Sequence, residues 1–276
     1  MRELRLAAGP LEAVLLPEAG ARLHRLRAFG HDLLRTPDRP VAHRRDPFFW
    51  GAYVMAPWCN RIVAAPVAVD GRVVDVPANF ADGTAIHGQV YARPWSVDPD
   101  GMTCRCLAGG DGWPWTYEVS LRPRLDDEGL TLHLRLVNRS AEPMPTGLGL
   151  HPWWRRPVEV AFRAGRVYPS NVDPPRRPIP VADAWDLSRR AAPPSGLDAT
   201  WTGLMTPTIE LSWPALGVAA TLTVSASADH VVVATPADPD ATAVEVQTHA
   251  PDGMRRLLAG DPGALRWLEP GAELRV

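Results

Sequence analysis

The chain has 276 residues with 29 basic and 31 acidic side chains, which leaves a formal net charge of −2. This balance excludes the one-signed charge field that gathers nucleic acid or an anionic membrane surface. Every basic residue is arginine, so lysine Schiff-base chemistry and the GK[ST] phosphate loop are also excluded.

Short strands separated by turn residues follow one another along the chain. The 30 prolines argue against long helices, because proline lacks the amide N–H and clashes with the preceding turn. The clearest strand is 130–137, where leucine alternates with Thr131, His133 and Arg135, the period of a half-buried strand. Strands are predicted at 2–7, 11–16, 72–77, 90–97, 117–122, 130–137, 157–163, 207–213, 217–225, 230–235, 242–248 and 272–276.

This pattern predicts an antiparallel all-β sandwich or barrel in a single domain spanning 1–276. Only 254–259 is predicted to be helical. Two proline-rich segments, 36–47 and 169–194, are predicted to be long loops of the functional or disordered kind.

Cysteine usage and the first residues predict a cytoplasmic protein. Cys59, Cys104 and Cys106 form an odd, sparse set, unlike the disulfide framework of a secreted protein. Segment 1–5 carries charges where a signal peptide would be apolar. No run reaches the roughly 18 apolar residues of a membrane-spanning helix.

Three residues are candidates for acid–base chemistry. His87 lies in Ile-His-Gly, His151 ends an apolar strand before a proline, and Glu245 lies within a β-forming run. Each alone is more often a hydrogen-bonded structural residue. Val244 and Val246 flank Glu245, so its carboxyl would need a partner or a function if that face of the strand is buried.

Together with Arg61 and Asp198, these residues suit a polyol ligand. Singly, Asp198 is typical of a turn and Arg61 of a surface ion pair. As a set, carboxylates and arginine bind hydroxyl pairs, and the apolar face of a sugar stacks on indole rings. Eleven tryptophans against five phenylalanines is unusual, and the tryptophans nearest the candidates in sequence are Trp58, Trp153 and Trp154.

The order of these motifs resembles the aldose 1-epimerase (galactose mutarotase) family. The resemblance rests on Asn-Arg-Ile at 60–62, Ala-Ile-His-Gly at 85–88, Pro-Met-Pro-Thr-Gly-Leu-Gly-Leu-His-Pro-Trp at 143–153, Leu-Asp at 197–198 and Val-Glu-Val-Gln-Thr at 244–248. It extends from about residue 10 to the C-terminus and implies a large antiparallel β-supersandwich with very little helix. Two positions depart from the family pattern: Val246 stands where proline is common, and Trp201 where phenylalanine is common, which bears on pocket shape.

The resemblance also implies a role for each candidate residue. Glu245 would be the catalytic base and His151 the acid, with His87 as a second imidazole near the ring oxygen. The remaining motif residues are predicted to bind the sugar: Arg61, Asp198, Asn60 and Trp153.

Such an isomerase opens a cyclic hemiacetal, because a base takes the O1 proton while an acid protonates the ring oxygen O5. Reclosure after rotation then gives the other anomer. We therefore expect Glu245 to be ionised and His151 to be protonated near neutral pH, without a metal or an organic cofactor. The predicted partner is a small aldose, with no nucleic acid and no membrane, and the predicted assembly is a monomer or homodimer.

Three alternatives stay open. A glycosidase would use Asp198 and Glu245 as its carboxylate pair, although it leaves both imidazoles without a role. A hexose-6-phosphate 1-epimerase would need arginines near the phosphate, for which Arg39, Arg44, Arg45, Arg176 and Arg177 are available. A non-catalytic carbohydrate-binding module would keep the tryptophan and arginine contacts but would not need an acid–base pair.

Overall fold

A computed structural model describes residues 1–238 and 240–276 and confirms the all-β class. Its strands are, in chain order, β1 (Leu4–Ala8), β2 (Leu11–Leu16), β3 (Arg22–Ala28), β4 (His31–Asp32), β5 (Ala52–Met55), β6 (Arg61–Ile62), β7 (Val67–Val69), β8 (Arg72–Val74), β9 (Ala85–Ile86), β10 (Ser96–Val97), β11 (Cys104–Gly110), β12 (Trp113–Leu125), β13 (Leu130–Asn138), β14 (Met144–Thr146), β15 (Gly149–Arg155), β16 (Glu159–Ala161), β17 (Ala164–Tyr168), β18 (Ile179–Pro180), β19 (Asp198–Leu204), β20 (Thr208–Trp213), β21 (Val218–Thr223), β22 (His230–Ala234), β23 (Ala241–Gln247), β24 (Arg266–Leu268) and β25 (Glu273–Arg275).

Helix is confined to short segments. The described residues contain one α-helix, α1 (Gly253–Ala259), and the 3₁₀ helices Pro17–Ala19, Pro40–Arg44, Asp183–Trp185 and Pro214–Leu216. Left-handed residues bound α1 on both sides, with φ of 59° at Asp252 and 66° at Gly260. In the described part of the chain, no helix has the length and apolar character needed to cross a bilayer.

Most predicted strands are present. The prediction at 11–16 is confirmed with its bounds as β2, and that at 130–137 as β13. The prediction at 90–97 is wrong except for β10, because a turn closed by the N–H of Arg93 and the carbonyl of Val90 occupies its first part. The helix predicted at 254–259 is α1.

The largest sheet carries the site. Its eleven strands are ordered β1-β2-β3-β5-β15-β23-β22-β19-β17-β18, with β4 paired to β3. Every residue of β5 and of β23 is buried, because both faces of the sheet centre are covered. The middle strands are therefore held in register by packing on two sides.

A second sheet closes one side of the hydrophobic core. Its five strands are ordered β10-β11-β12-β13-β25, and β12 contacts β1 and β2 of the large sheet. Trp113, Trp115 and Tyr117 alternate inward along β12 and are almost fully buried. These large rings fill the space between the sheets, so the two sheets form one continuous core.

Gly88 fixes the path of the chain next to His87. Its φ is +76°, and a Cβ placed there would lie 1.9 Å from the carbonyl oxygen of Ala56. The same carbonyl accepts the N–H of Gln89 at 2.7 Å. The segment that carries His87 is thereby pressed against the end of β5, which only glycine permits.

We expect Gly88→Ala to lower the free energy of unfolding by about 2–5 kcal/mol, because it adds a steric clash to a left-handed backbone. Gly83→Ala is the matched control, since Gly83 has φ of +82° but open space around its Cβ position. That variant should lose only about 1–2 kcal/mol. Urea denaturation of both proteins checks this, and equal losses would contradict the close approach.

Candidate active site

Strand register brings the two predicted acid–base residues together. Leu150 on β15 lies opposite Val246 on β23, so the next residue along β15, His151, faces Glu245. The His151 Nε2 and Glu245 Oε1 atoms are 3.2 Å apart, and both side chains are about 95% buried or more. Two residues that are 94 positions apart in the sequence are therefore in direct contact across two neighbouring strands.

Aromatic rings surround this pair. Tyr53 on β5 lies opposite His151 in the register on its other side, and the two rings stack with centroids 4.6 Å apart. The His87 ring meets His151 edge-on at 4.9 Å, and the Trp153 ring lies 4.8 Å away. His151 therefore has a fixed ring plane.

His87 is held in one tautomer by the backbone of Asn60. The N–H of Asn60 donates to His87 Nδ1 at 3.2 Å, and the N–H of His87 donates to the Asn60 carbonyl at 3.1 Å. Because Nδ1 accepts, the proton of the neutral ring lies on Nε2, which becomes a donor. Both residues have positive φ, 56° and 61°, a backbone strain typical of functional sites.

These side chains line one cleft with a volume of about 190 Å³. All seven residues predicted for the site line it: His87, His151, Glu245, Arg61, Asp198, Asn60 and Trp153. Much of the remaining wall is apolar and includes Phe48, Phe49 and Phe80. Sequence reasoning missed these phenylalanines, since each lies outside the motifs.

Arg61 and Asp198 belong to a polar network at the rim of the cleft. The Arg61 Nε donates to Asp82 at 2.7 Å, and its NH1 lies 3.7 Å from Asp198. Asp198 also accepts a hydrogen bond from the Asn171 amide at 2.6 Å. Burial raises the pKa of Asp198, while Arg61 and Asn171 oppose that rise. The network can present a carboxylate and a guanidinium to neighbouring hydroxyls of one sugar.

The tryptophans behave differently from what the sequence suggested. Trp153 lines the cleft, whereas Trp58 is buried against Trp113 in the main core. Trp154 points to the other face of β15 and packs on Trp213, and Trp201 packs on Phe162 in the core. The expectation that Trp58 and Trp154 stack on a sugar, and that Trp201 shapes the pocket, is therefore wrong for the described cleft.

Burial favours the neutral form of both members of the Glu245–His151 pair. It raises the pKa of Glu245 well above its usual value and, with a smaller contribution from the Arg22 charge, lowers that of His151 to about 3. Burial, His151 and Arg61 likewise hold the pKa of His87 well below its usual value. In the free protein, burial therefore disfavours the ionised Glu245 and the protonated His151 that the sequence analysis expects.

The same three side chains could hold a metal ion. Ligand atoms of His87, His151 and Glu245 all lie within 4.8 Å of one another, and two imidazoles with one carboxylate are a common set for zinc or iron. Bonds of about 2 Å would have to draw these atoms closer together. Burial also raises the pKa of Glu245, which disfavours the carboxylate form that an ion would need.

His249, which the motifs did not single out, supports the loop that carries Asn60 and Arg61. Its Nε2 accepts the N–H of Cys59 at 2.9 Å, and its Nδ1–H donates to the Ala250 carbonyl at 2.7 Å. Burial lowers the pKa of His249 to about 3. The ring is therefore kept neutral in the fold, as an acceptor for the loop.

These depressed values predict that stability falls with acidity. Below about pH 6.5 the unfolded chain protonates His249 and His151, whereas the folded chain does not until about pH 3. Each such imidazole lowers the free energy of unfolding by up to about 1.4 kcal/mol per pH unit as the pH falls through that window. Glu245, whose pKa is raised, acts in the opposite sense above its unfolded value.

His249→Gln keeps an acceptor for Cys59 but removes one titration, so its stability should depend less steeply on pH than that of the wild type. His133→Gln, at an exposed position on β13, is the matched control. Chemical denaturation between pH 6 and pH 4 measures both slopes. Equal slopes for His249→Gln and wild type would contradict a neutral buried imidazole.

The chain is similar to known proteins in sequence and in structure. Residues 2–255 match the family profile described as Aldose 1-epimerase, while no curated protein sequence matches significantly. Among solved structures, a galactose mutarotase-like protein from Clostridium acetobutylicum superposes with a TM-score of 0.83 at 18% identity, covering 98% of this chain and 92% of its own. A candidate aldose 1-epimerase from Escherichia coli K12 gives 0.81 at 20% identity, with coverage of 99% and 96%.

A third structure, galactose 1-epimerase from Lactobacillus acidophilus, gives a TM-score of 0.74 at 17% identity, with coverage of 99% and 91%. Such identities establish a shared fold, the galactose mutarotase-like antiparallel β-supersandwich. The family profile adds a match over most of the sequence itself. The chain therefore belongs to the aldose 1-epimerase family.

Proposed function

We propose that this protein interconverts the α and β anomers of an unphosphorylated aldose by acid–base ring opening. The observation that carries the proposal is the direct contact of Glu245 and His151, 3.2 Å apart at the wall of a cleft. A carboxyl and an imidazole that face one point can take a proton from one oxygen of a hemiacetal while giving one to the other.

A neutral pair, which burial favours, is compatible with that chemistry. A carboxylic acid beside a neutral imidazole holds the same number of protons as a carboxylate beside an imidazolium. Transfer of one proton from Glu245 to His151 therefore creates the base and the acid together, without exchange with solvent. Hydrogen bonds from bound sugar hydroxyls would favour the charged form at that moment.

The polar atoms of the site that are available for hydrogen bonding suggest a role for each group in the reaction. Among the described residues, Glu245 Oε2 has no hydrogen-bond partner, so it is available to the O1 hydroxyl. The proton gained by His151 passes to the ring oxygen O5. His87, whose free Nε2–H is a donor, polarises O5 as the C1–O5 bond breaks.

The charge of the cleft favours a neutral sugar over a sugar phosphate. Arg61 is the cation in the described lining, and the carboxylates of Asp82 and Asp198 already flank it. The arginines considered for a phosphate do not line the described cleft: Arg39, Arg44, Arg45, Arg176 and Arg177. Two of these are paired elsewhere, Arg44 with Glu18 and Arg176 with Asp261.

The other two alternatives leave part of the site unused. In a glycosidase, Asp198 would have to act as the partner carboxyl, but it is engaged by Asn171 and Arg61. A carbohydrate-binding module would have no need of a carboxyl and an imidazole buried together, because burying such polar groups is costly. Anomer exchange, reducing-sugar release and sugar binding distinguish the three functions.

Glu245→Gln should slow the exchange of α-glucose or α-galactose by about 10²–10⁴-fold, because it removes the base while keeping the shape of the side chain. Polarimetry or exchange spectroscopy on freshly dissolved sugar measures the rate. Glu210→Gln, at an exposed carboxylate on β20 that pairs with Arg190, is the control and should retain the wild-type rate. Wild-type speed in Glu245→Gln would contradict the proposal.

We also expect free aldoses to be better substrates than hexose 6-phosphates, since a phosphate would meet two carboxylates and only one partly neutralised guanidinium. Excess inorganic phosphate should not compete with the free sugar. The screen compares kcat/KM for glucose, galactose and their 6-phosphates. Preference for a phosphorylated sugar, together with competition by phosphate, would favour the hexose-6-phosphate alternative instead.

A further inference from the structure

A fourth residue continues the line formed by Tyr53, His151 and Glu245 across the large sheet. Leu23 on β3 lies opposite Ala52 on β5, so the preceding residue, Arg22, faces Tyr53. Its guanidinium carbon lies 4.7 Å from the centroid of the Tyr53 ring. Arg22, Tyr53, His151 and Glu245, here called the catalytic row, thus occupy four adjacent strands in one line.

Arg22 is an unusual residue to find at such a position. It is 1% exposed, and its described hydrogen bonds go to carbonyl oxygens instead of a carboxylate. NH1 donates to Trp50 at 2.6 Å, and NH2 donates to Pro47 at 2.5 Å and to Tyr91 at 3.2 Å. A buried arginine held by neutral acceptors keeps its positive charge within the sheet.

The same hydrogen bonds hold one wall of the cleft. Residues 47–51 place the Phe48 and Phe49 rings in the cleft lining and lie outside the strands. Their five successive carbonyls all accept hydrogen bonds from elsewhere: Pro47 and Trp50 from Arg22, Phe48 and Gly51 from Trp153, and Phe49 from Arg35. Arg22 therefore fixes both ends of the Pro47–Trp50 segment, here called the aromatic wall.

We infer that Arg22 is a positioning residue for the proposed reaction, acting through two contacts that can be separated. Its hydrogen bonds set the aromatic wall against which the sugar packs, and its charge, one ring behind His151, disfavours the imidazolium. The expected kinetic effects rest on the proposed function. The effect of the Arg22 charge on His151 is a property of the unliganded protein and does not depend on that function.

Other titratable and charged groups also lie near Glu245 and His151 and affect their pKa values. Glu245 contacts His151 directly, and His87 lies at its edge. Arg61 and Asp198 act on the far side, through their effects on Glu245 and His87. Arg22 is the cation on the Tyr53 side, and its positive charge contributes to the lowered pKa of His151.

Three variants separate the two contacts. Arg22→Met removes the charge and the wall hydrogen bonds together, whereas Arg22→Lys keeps a charge but cannot span the same carbonyls. Arg35→Met is the matched control, because Arg35 donates to the Phe49 carbonyl at 3.0 Å and stacks on Trp50, but has no place in the catalytic row. Far-ultraviolet circular dichroism and urea denaturation establish that each variant is folded.

The first measurement is a histidine titration by ¹⁵N-edited NMR on the unliganded protein, which does not depend on any activity. We expect His151 to titrate at higher pH in Arg22→Met than in wild type, and Arg22→Lys and Arg35→Met to resemble wild type. An unchanged titration in folded Arg22→Met would overturn the electrostatic role. If Arg22→Met does not fold, a raised titration in Arg22→Lys overturns it equally.

The second measurement is the kinetics of anomer exchange. All three variants should raise KM, with a fall of about 10- to 100-fold in kcat/KM from misplacement of the wall, and only Arg22→Met should also shift the acidic limb of the pH profile. Wild-type KM in both Arg22 variants would overturn the wall role. If wild type itself exchanges no anomers, the proposed function fails, while the NMR result still stands.

Discussion

The register between β15 and β23 is the constraint on which the site depends, because it places a carboxyl and an imidazole side by side within a sheet. Side chains alternate across a strand, so a slip of one residue would turn Glu245 to the opposite face and bring Val244 or Val246 to His151. β23 is buried along its whole length, and packing on both faces forbids that slip. The sheet thus fixes a separation that loops would hold less rigidly.

Polar groups in the middle of a sheet are costly, and the protein limits this cost in two different ways. Burial favours the neutral forms of Glu245 and His151, which lie in direct contact with each other. Arg22 keeps its charge, because its pKa falls only to about 10, and backbone carbonyls take the place of water around it. The catalytic row therefore has a persistent positive charge at the Arg22 end and two groups whose neutral forms are favoured at the other end.

The sequence predicted the site residues that lie in short recognisable motifs, and it missed those whose partners are distant along the chain. His151, His87 and Glu245 sit in short motifs, and the alternating leucines of β13 reveal a half-buried strand. Arg22 gave no signal, because its three acceptors lie 25, 28 and 69 residues away. The tryptophan error has an equally physical origin: adjacent residues of β15 point to opposite faces, so Trp153 lines the cleft while Trp154 packs in the core.

The cleft divides its tasks between rigid and irregular parts of the fold. The catalytic row lies on paired strands, whereas Phe48, Phe49 and Phe80, which would meet the faces of a sugar, lie on connecting segments. Such segments can change sequence without disturbing the sheet, and structures of this fold retain it at 17–20% identity. Arg22 is the point where the two parts meet, since it binds the carbonyls of the aromatic wall and stacks within the row. If Arg22 has the role inferred for it, a change in the wall would reach His151 through Arg22 and Tyr53, and substrate fit and acid strength would be coupled.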